Sequence, residues 1–251
     1  MVARVAYGMS VNHPEFREIA PFGFYDFNFN FTYAGNPNLV SASIHHAEVK
    51  WEYYPETSDV INFSVFYKRF INPIEVVIIQ GAGSGGAKSF TYNNAKNANL
   101  YGAEIELKRA FTKSSNKILK NTGVMLNATY LISNIFLGDD VKGQSNNRPL
   151  QGQSPYVLNI GLQYDNKESG WFGNIIFNQI GRRIAYVGVD PKYGDTRQDI
   201  YEAPRAVVDL QIGKNIGKLN LKFTVGDLLH KDLIYYQDTN QNGKFDSSVP
   251  N

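Results

Sequence analysis

One glycine-rich segment has the composition of a ligand-binding loop. Residues 81–88 read GAGSGGAK, a run of the kind that cradles phosphate, but the Gly-Lys-Ser/Thr ending and a following helical pattern are missing. Glycine and serine in this proportion are typical of flexible connections. We therefore interpret 81–88 as a loop and not as a phosphate site.

A second segment has the spacing of a calcium loop. Residues 238–246 read DTNQNGKFD and match an EF-hand loop at five positions: Asp238, Asn240, Asn242, Gly243 and Asp246. Val249 stands where the bidentate glutamate is expected, and no flanking helices are apparent. Asn-Gly is also a common turn sequence. A surface turn is the favoured interpretation, and the sequence leaves calcium binding open.

Other arrangements suited to catalysis or metal binding are not apparent in the sequence. The four histidines lack the spacing of a zinc hydrolase motif: His13, His45, His46 and His230. No nucleophile elbow is present, and the absence of cysteine excludes disulfides and thiolate metal sites. We predict that the protein is not an enzyme and uses no cofactor. No catalytic, cofactor-binding or metal-binding residues are assigned, and the substrate-binding residues are unknown from the sequence alone.

Composition excludes two further classes. The 251 residues carry a formal net charge of +2 with scattered basic residues, which argues against nucleic acid binding. No run of about 18 apolar residues exists, so no membrane helix is expected. The mean hydropathy of −0.33 is compatible with a barrel wall, because such a wall is apolar on one face only.

The dominant pattern is alternation of apolar and polar residues with period two, which predicts long β-strands. We predict an all-β fold: an antiparallel meander of about nine long strands. The predicted strands lie near 2–11, 41–54, 60–70, 99–111, 124–133, 156–164, from 171, 205–212 and 219–225. Short connections at 55–59, 112–121, 165–170 and 214–217 alternate with long ones at 12–38, 72–97, 137–150 and 181–203. A polar tail without a further strand is expected after the last one.

Three features favour a transmembrane outer-membrane β-barrel over a soluble sandwich or lipocalin-type barrel. Short and long connections alternate strictly, so all long ones are expected at one rim. Aromatic residues such as Trp51 and Trp171 gather beside the short connections, where headgroups would lie. The strands run to ten or more residues, enough to cross a bilayer when tilted. The predicted number of strands is odd, whereas bacterial single-chain barrels have an even number. The sequence therefore predicts an incomplete, open barrel.

Alternation also assigns residues to the two faces of this wall. We predict an apolar, lipid-facing set: Val49, Trp51, Ile105, Leu107, Leu126, Leu158, Ile160, Leu210 and Leu221. The lumen-facing set is polar: Glu48, Glu104, Glu106, Asn127, Asn159, Asp209 and Lys222. Lumen charges including Lys50, Glu52 and Lys108 are suited to holding a plug or guiding a solute, although pairing between neighbouring strands is the favoured interpretation.

Seven segments, in order, are similar to the barrel of TonB-dependent receptors, particularly those of the Bacteroidetes type. They are NHPEFREIAPFGFYDF (12–27), GNPNL (35–39), WEYYP (51–55), FYKRFINPIE (66–75), NAKNANLYGAEIEL (94–107), RPLQGQSPYVLNIGLQYD (148–165) and GDLLHKDLIYYQDTNQNGKFD (226–246). His13 stands where the family usually has arginine. The resemblance implies a barrel of about 22 strands with an N-terminal plug. Residues 1–251 would then be a partial barrel domain, lacking the plug and the final strand, in the cell outer membrane.

The resemblance implies a function and a set of partners. Such receptors import a bulky nutrient (an iron chelate, cobalamin or a glycan) with energy passed from the inner membrane by the TonB complex. The expected partners are outer-membrane lipid, the plug, TonB, an unknown nutrient and a surface lipoprotein. Loop aromatics suited to stacking on a ligand, or to packing the loop, are Phe22, Phe24, Tyr25, Phe27 and Phe29. The alternatives are a passive or structural barrel of about ten strands and a soluble β-sandwich binding module.

Overall fold

The fold is built on one large antiparallel sheet. The structure, a computed structural model, describes residues 1–27, 30–79, 89–139, 141, 143–190, 198–238 and 247–248. With strands numbered by their position in the chain, the long ones are β1 (Val2–Asn12), β4 (Ala42–Tyr53), β5 (Val60–Ile71), β8 (Asn97–Ala110), β9 (Thr122–Phe136), β11 (Tyr156–Asp165), β12 (Trp171–Ile180), β15 (Arg205–Ile216) and β16 (Leu219–Val225). Each pairs with the next in this order, so they form a meander.

The sheet is open. Within the described residues β1 pairs on one side only, with β4, and β16 pairs on one side only, with β15. The predicted meander of about nine strands and the unclosed barrel are therefore confirmed. Most strand ends agree with the sequence-based boundaries to within about two or three residues, and β15 extends four residues beyond its predicted end at 212. The connection predicted at 214–217 is shifted, because β15 continues to Ile216 and the chain reverses at Gly217, whose φ is +58°.

The long connections contain short strands that the sequence did not predict. Segment 12–38 holds α1 (Phe16–Ile19), β2 (Gly23–Asp26) and β3 (Phe31–Ala34), and segment 72–97 holds β6 (Ile74–Ile78) and β7 (Ser89–Asn94). The remaining elements are α2 (Lys117–Lys120), β10 (Asn147–Arg148), β13 (Arg183–Tyr186), β14 (Ile200–Glu202), β17 (Tyr235–Gln237) and β18 (Ser247–Ser248). The prediction of a tail without strands is wrong, because β17 pairs with β14 and with β18.

These short strands form two small sheets beside the large one. The first small sheet has the order β2-β3-β7-β6, and the second has the order β13-β14-β17-β18. Their strands are five residues or fewer in most cases, and β3 pairs with β7 across more than fifty positions of sequence. Alternation is hard to recognise over so few residues, and distant pairing leaves no local signal.

The buried core consists of two clusters, and both include residues of the small sheets. One cluster joins residues of both small sheets: Phe31, Tyr33, Phe90, Ile184, Val187 and Ile200. A second cluster, which includes Val77, Ala98 and Ile135, joins the first small sheet to the start of β8 and the end of β9. The described residues contain no helix long and apolar enough to cross a membrane.

Candidate functional site

The described parts of the long connections meet at one end of the large sheet, as predicted. Segment 137–150 docks on the first small sheet, where the Gln144 side-chain oxygen accepts a hydrogen bond from the backbone of Ile78 at 3.2 Å. Gln151 donates to the carbonyl of Ala185 at 2.9 Å. The short connections lie together at the opposite end, where the Asp165 amide donates to the carbonyl of Asn121 at 2.8 Å. We call the two ends the loop end and the turn end.

The register places the two predicted residue sets on opposite faces of the sheet. Val49 pairs with Val65, which pairs with Ala103, so the apolar positions align from strand to strand. This apolar face is uncovered: Val5 is 81% exposed and Phe223 is 65% exposed. An uncovered face of this size is costly in water and is expected only where something apolar covers it.

Charges on the apolar face occur only near its two ends. Across the nine long strands they are all basic side chains: His45 and Arg69 at the loop end, and Arg109 and Lys214 at the turn end. Acidic residues of these strands all lie on the other face. Arg69 pairs with Asn99, and Arg109 lies ten residues further along β8, a rise of roughly 25 Å at the usual strand tilt. That height matches the apolar band of a membrane barrel.

Aromatic rings accompany the basic side chains at the turn end. The Lys214 ammonium lies 4.8 Å from the centroid of Trp171, and the Arg109 guanidinium lies 5.8 Å from that of Phe111. Trp51 and Tyr53 stack with centroids 6.1 Å apart on the same face. The predicted gathering of aromatics beside the short connections is confirmed. Amphipathic rings with cations suit the headgroup region of a bilayer.

The opposite face is a polar network. Glu52, only 3% exposed, forms an ion pair with Arg4 and lies 3.5 Å from the Lys50 ammonium. The Asn62 amide donates to Glu106 at 2.8 Å, and the Thr129 hydroxyl donates to Glu104 at 3.3 Å. Partners across neighbouring strands thus hold several of the predicted lumen charges in place.

A hollow of about 570 Å³ opens on this polar face near the turn end. Lys108, Met125, Gln163 and Asn174 are among the residues that line it. Its mixture of apolar and polar groups suits a protein surface better than a small ion.

The loop end is held together by a buried ion pair. Arg148 Nη2 lies 2.9 Å from Glu75 Oε2, with side-chain exposures of 3% and 9%. Burial raises the pKa of the Glu75 carboxyl, and the neighbouring guanidinium opposes part of that shift. A second cavity of about 400 Å³ lies beside Arg148 and is also lined by Arg182, Asp199, Tyr201 and Asp238.

The side chains of this loop-end cavity are already engaged with one another. Arg182 Nη1 lies 2.9 Å from Asp238 Oδ2, and the guanidinium stacks over the ring of Tyr201 at 4.4 Å. Burial, with the nearby Asp199, raises the pKa of Tyr201 to about 12. The cavity is lined by hydrogen-bond donors and acceptors, which makes it a candidate ligand-contact region.

Several residues singled out from the sequence are separated in the fold or lie outside the described residues. His45, His46 and His13 each bond a different hydroxyl, those of Tyr7, Ser10 and Ser41. In the part of the chain that the structure describes, no group of three His, Cys, Asp or Glu could hold a metal. Residues 81–88 and 239–246 lie outside that part, so the phosphate-loop and calcium interpretations stay untested.

The loop aromatics divide into packed and exposed residues. Phe24 packs against the core between the small sheets. Phe22, Tyr25 and Phe27 are exposed at 51%, 48% and 83%, and Phe29 is outside the described residues. Three exposed rings on one hairpin are available for contact with a ligand.

The GNPNL segment has a structural role at the loop end. A Cβ on Gly35 would lie 2.0 Å from the carbonyl oxygen of Ala20, so only glycine fits there. The Asn36 amide donates to the carbonyl of Tyr92 at 2.9 Å, and its backbone donates to Glu18. This segment fastens α1 to the first small sheet.

An open meander with an apolar face bounded by basic and aromatic residues, and a polar face behind it, is the wall of an outer-membrane β-barrel. Residues 1–228 match the family model described as "TonB dependent receptor-like, beta-barrel". The chain therefore belongs to this family of transport receptors, whose members are outer-membrane β-barrels. No match was found among curated proteins.

Solved structures of similar fold include siderophore receptors. PirA from Pseudomonas aeruginosa superposes with a TM-score of 0.58 at 15% identity, over 92% of this chain and 36% of that one. A mutant of the ferric enterobactin receptor PfeA from the same organism gives 0.60 at 18%, over 92% and 33%. The ferric-catecholate import receptor Fiu from E. coli gives 0.59 at 16%, over 92% and 29%. The chain spans about a third of the length of these receptors.

Proposed function

We propose that residues 1–251 are a partial barrel domain of an outer-membrane receptor that imports an iron chelate with energy delivered through TonB. The observation that carries the proposal is the two-faced open sheet, with a lipid-compatible face about one bilayer core in height and an ordered loop end. The names of the similar solved receptors favour an iron chelate over cobalamin or a glycan. A Bacteroidetes-type receptor stays a prediction.

The polar face is proposed to hold a plug domain. Lumen charges that already pair within the wall form a rigid, hydrated lining, and the hollow at the turn end offers space for a polypeptide segment. The residues proposed for this contact are Glu48, Lys50, Glu52, Glu104, Glu106 and Lys108. A plug that fills the lumen would make transport dependent on energy, in contrast to a passive barrel of about ten strands.

The loop end is proposed to receive the ligand. The exposed rings of Phe22, Tyr25 and Phe27 offer flat apolar surfaces, and the cavity beside Arg148 and Arg182 offers donors. Ring stacking and cationic donors together suit a chelate with aromatic, anionic groups. A surface lipoprotein that covers this end stays a further prediction. We propose a transport role here and no catalytic one.

Uptake of radioiron chelates by cells tests the proposal. Cells that carry the complete receptor should accumulate a ferric catecholate, and deletion of TonB should abolish the uptake. Ferric hydroxamate, labelled cobalamin and a labelled oligosaccharide serve as parallel substrates. Uptake that continues without TonB would favour the passive barrel, and accumulation of cobalamin or oligosaccharide alone would overturn the iron assignment.

A further inference from the structure

The lumen face of the large sheet is divided into two parts of different chemistry. On β1, β4, β5 and β8 it carries nine ionisable side chains: Arg4, His46, Glu48, Lys50, Glu52, Lys68, Glu104, Glu106 and Lys108. On β9, β11 and β12 it carries one, Asp165, which is the last residue of β11. We call the first part the charged wall and the second part the amide wall.

The amide wall is named for five side-chain amides on its lumen face: Asn127, Asn159, Gln163, Asn174 and Asn178. Asn127 pairs with Asn159, and Asn159 pairs with Asn178, so three of the amides form one row across the three strands. The Asn178 amide donates to the side-chain oxygen of Asn159 at 2.6 Å. Each amide has two N–H donors and an acceptor oxygen with two lone pairs, so one such contact leaves most of this capacity free for water or a solute.

The amides extend from one end of the sheet to the other. Asn178 lies two residues from the loop-end terminus of β12, and Gln163 lies two residues from the turn-end terminus of β11. Gln163 and Asn174 also line the hollow of about 570 Å³ at the turn end. A solute that follows the amide wall from the loop end therefore meets uncharged side chains as far as the hollow.

The charged wall is suited to holding a protein domain in place. Glu52 forms an ion pair with Arg4, whereas Glu48 and Lys108 have no ion pair within the described residues. Fixed charges can pair with a docked protein surface, but they also retain or repel a charged solute that passes them. A hydrogen bond to an uncharged amide replaces one to water, so its net gain in free energy is small. The amide wall therefore offers contacts weak enough for release, which passage requires.

We propose that the amide wall lines the path of the transported solute, and that the charged wall holds the part of the plug that stays in place. The plug segment beside the amide wall and the hollow then moves away when transport begins. The solute is a polar chelate that exchanges contacts with water for contacts with the amides. The inference rests on the proposed function, and it assigns the path and the plug contact to different strands of the barrel.

Cysteine labelling of the complete receptor in cells tests which wall opens. Asn159→Cys places a thiol on the amide wall, and Gly8→Cys places one on the charged wall, where a Cβ meets nothing within 4 Å. A membrane-impermeant maleimide should label position 159 several-fold faster during uptake of ferric catecholate than after deletion of TonB. Labelling at position 8 should not change. No gain at position 159, or an equal gain at both positions, would overturn the inference.

A carboxylate introduced on each wall gives a second test. Asn159→Asp is nearly isosteric, and it should slow uptake of an anionic ferric catecholate about fivefold, because like charges about 10 Å apart repel even in water. The dissociation constant of the chelate at the loop end should be unchanged, which shows that the variant is folded. Gly8→Asp is the matched control and should keep the wild-type rate.

The outcomes separate this inference from the proposed function on which it rests. Equal uptake rates for the wild type and Asn159→Asp would contradict a path along the amide wall, and so would an equal loss in Gly8→Asp. Wild-type uptake that is absent, or that continues without TonB, would instead count against the proposed function.

Discussion

Arg148 and Glu75, which are 73 positions apart in sequence, form a buried ion pair with an Nη2–Oε2 distance of 2.9 Å. The pair joins segment 137–150 to the first small sheet. Glu75→Gln leaves the guanidinium buried without its charge partner, so we expect the loop end to lose about 3–5 kcal/mol of local stability. Hydrogen exchange of β6 and β10 in the complete receptor measures this loss.

Lys113→Met is the control for that change. Lys113 pairs with Glu56 at 2.6 Å, but its side chain is 81% exposed at the turn end. Solvent screens such a pair, so we expect no measurable change in exchange at the loop end. Unchanged exchange in Glu75→Gln would contradict the structural role of the buried pair.

Tyr201 gives a pH-dependent prediction. Its pKa is raised to about 12, first by burial and then by Asp199. Because the folded pKa exceeds the unfolded value near 10, the stability that this phenol contributes is complete below pH 10 and is lost as the pH rises toward 12. A difference absorbance titration between wild type and Tyr201→Phe should show one phenolate forming near pH 12. A transition near pH 10 in the folded receptor would be inconsistent with this burial.

Gly35 gives a prediction about the GNPNL segment. Gly35→Ala brings a Cβ within 2.0 Å of the Ala20 carbonyl oxygen, so the segment must shift. We expect a destabilisation of about 1–3 kcal/mol from this overpacking, seen as faster proteolysis of segment 12–38. Gly8→Ala is the control, because a Cβ on Gly8 meets nothing within 4 Å. Equal cleavage rates in the two variants would show that the close approach is absent.

The large sheet and the position of the long connections at one end of it were predictable from the sequence, and the pairing within the loop end was not. Strands such as β8 alternate over 14 residues, so their faces and pairing follow from local pattern. The pairing of Tyr33 with Phe90, and of Arg148 with Glu75, depends on segments far apart in sequence. The aromatic residues of the long connections indicate that a buried cluster forms there, but they do not specify which residues pack against one another. Successive residues of a strand alternate between the two faces, so the sequence shows which basic residues lie on the apolar face. Their confinement to the ends of that face could therefore have been predicted from the sequence alone.

Neighbouring positions on β9 test the cost of charge on each face. Ala128 lies on the apolar face between Ile105 and Leu158, and Thr129 lies on the polar face beside Glu104. Ala128→Arg should destabilise the folded barrel by about 2–4 kcal/mol, because an arginine near the bilayer midplane is poorly solvated. Thr129→Arg should cost much less. Urea unfolding of the receptor in vesicles compares the two, and equal costs would argue against a lipid-facing surface at Ala128.

Position-specific fluorophore labelling of residues 104–107 tests the membrane assignment most directly. The chain has no cysteine, so single cysteines at Glu104, Ile105, Glu106 and Leu107 can be labelled without other thiols from residues 1–251. In bilayers, labels at 105 and 107 should be quenched by lipid-attached quenchers and labels at 104 and 106 by aqueous ones. The reverse pattern, or no lipid quenching at any of the four positions, would contradict a barrel wall whose apolar face meets lipid.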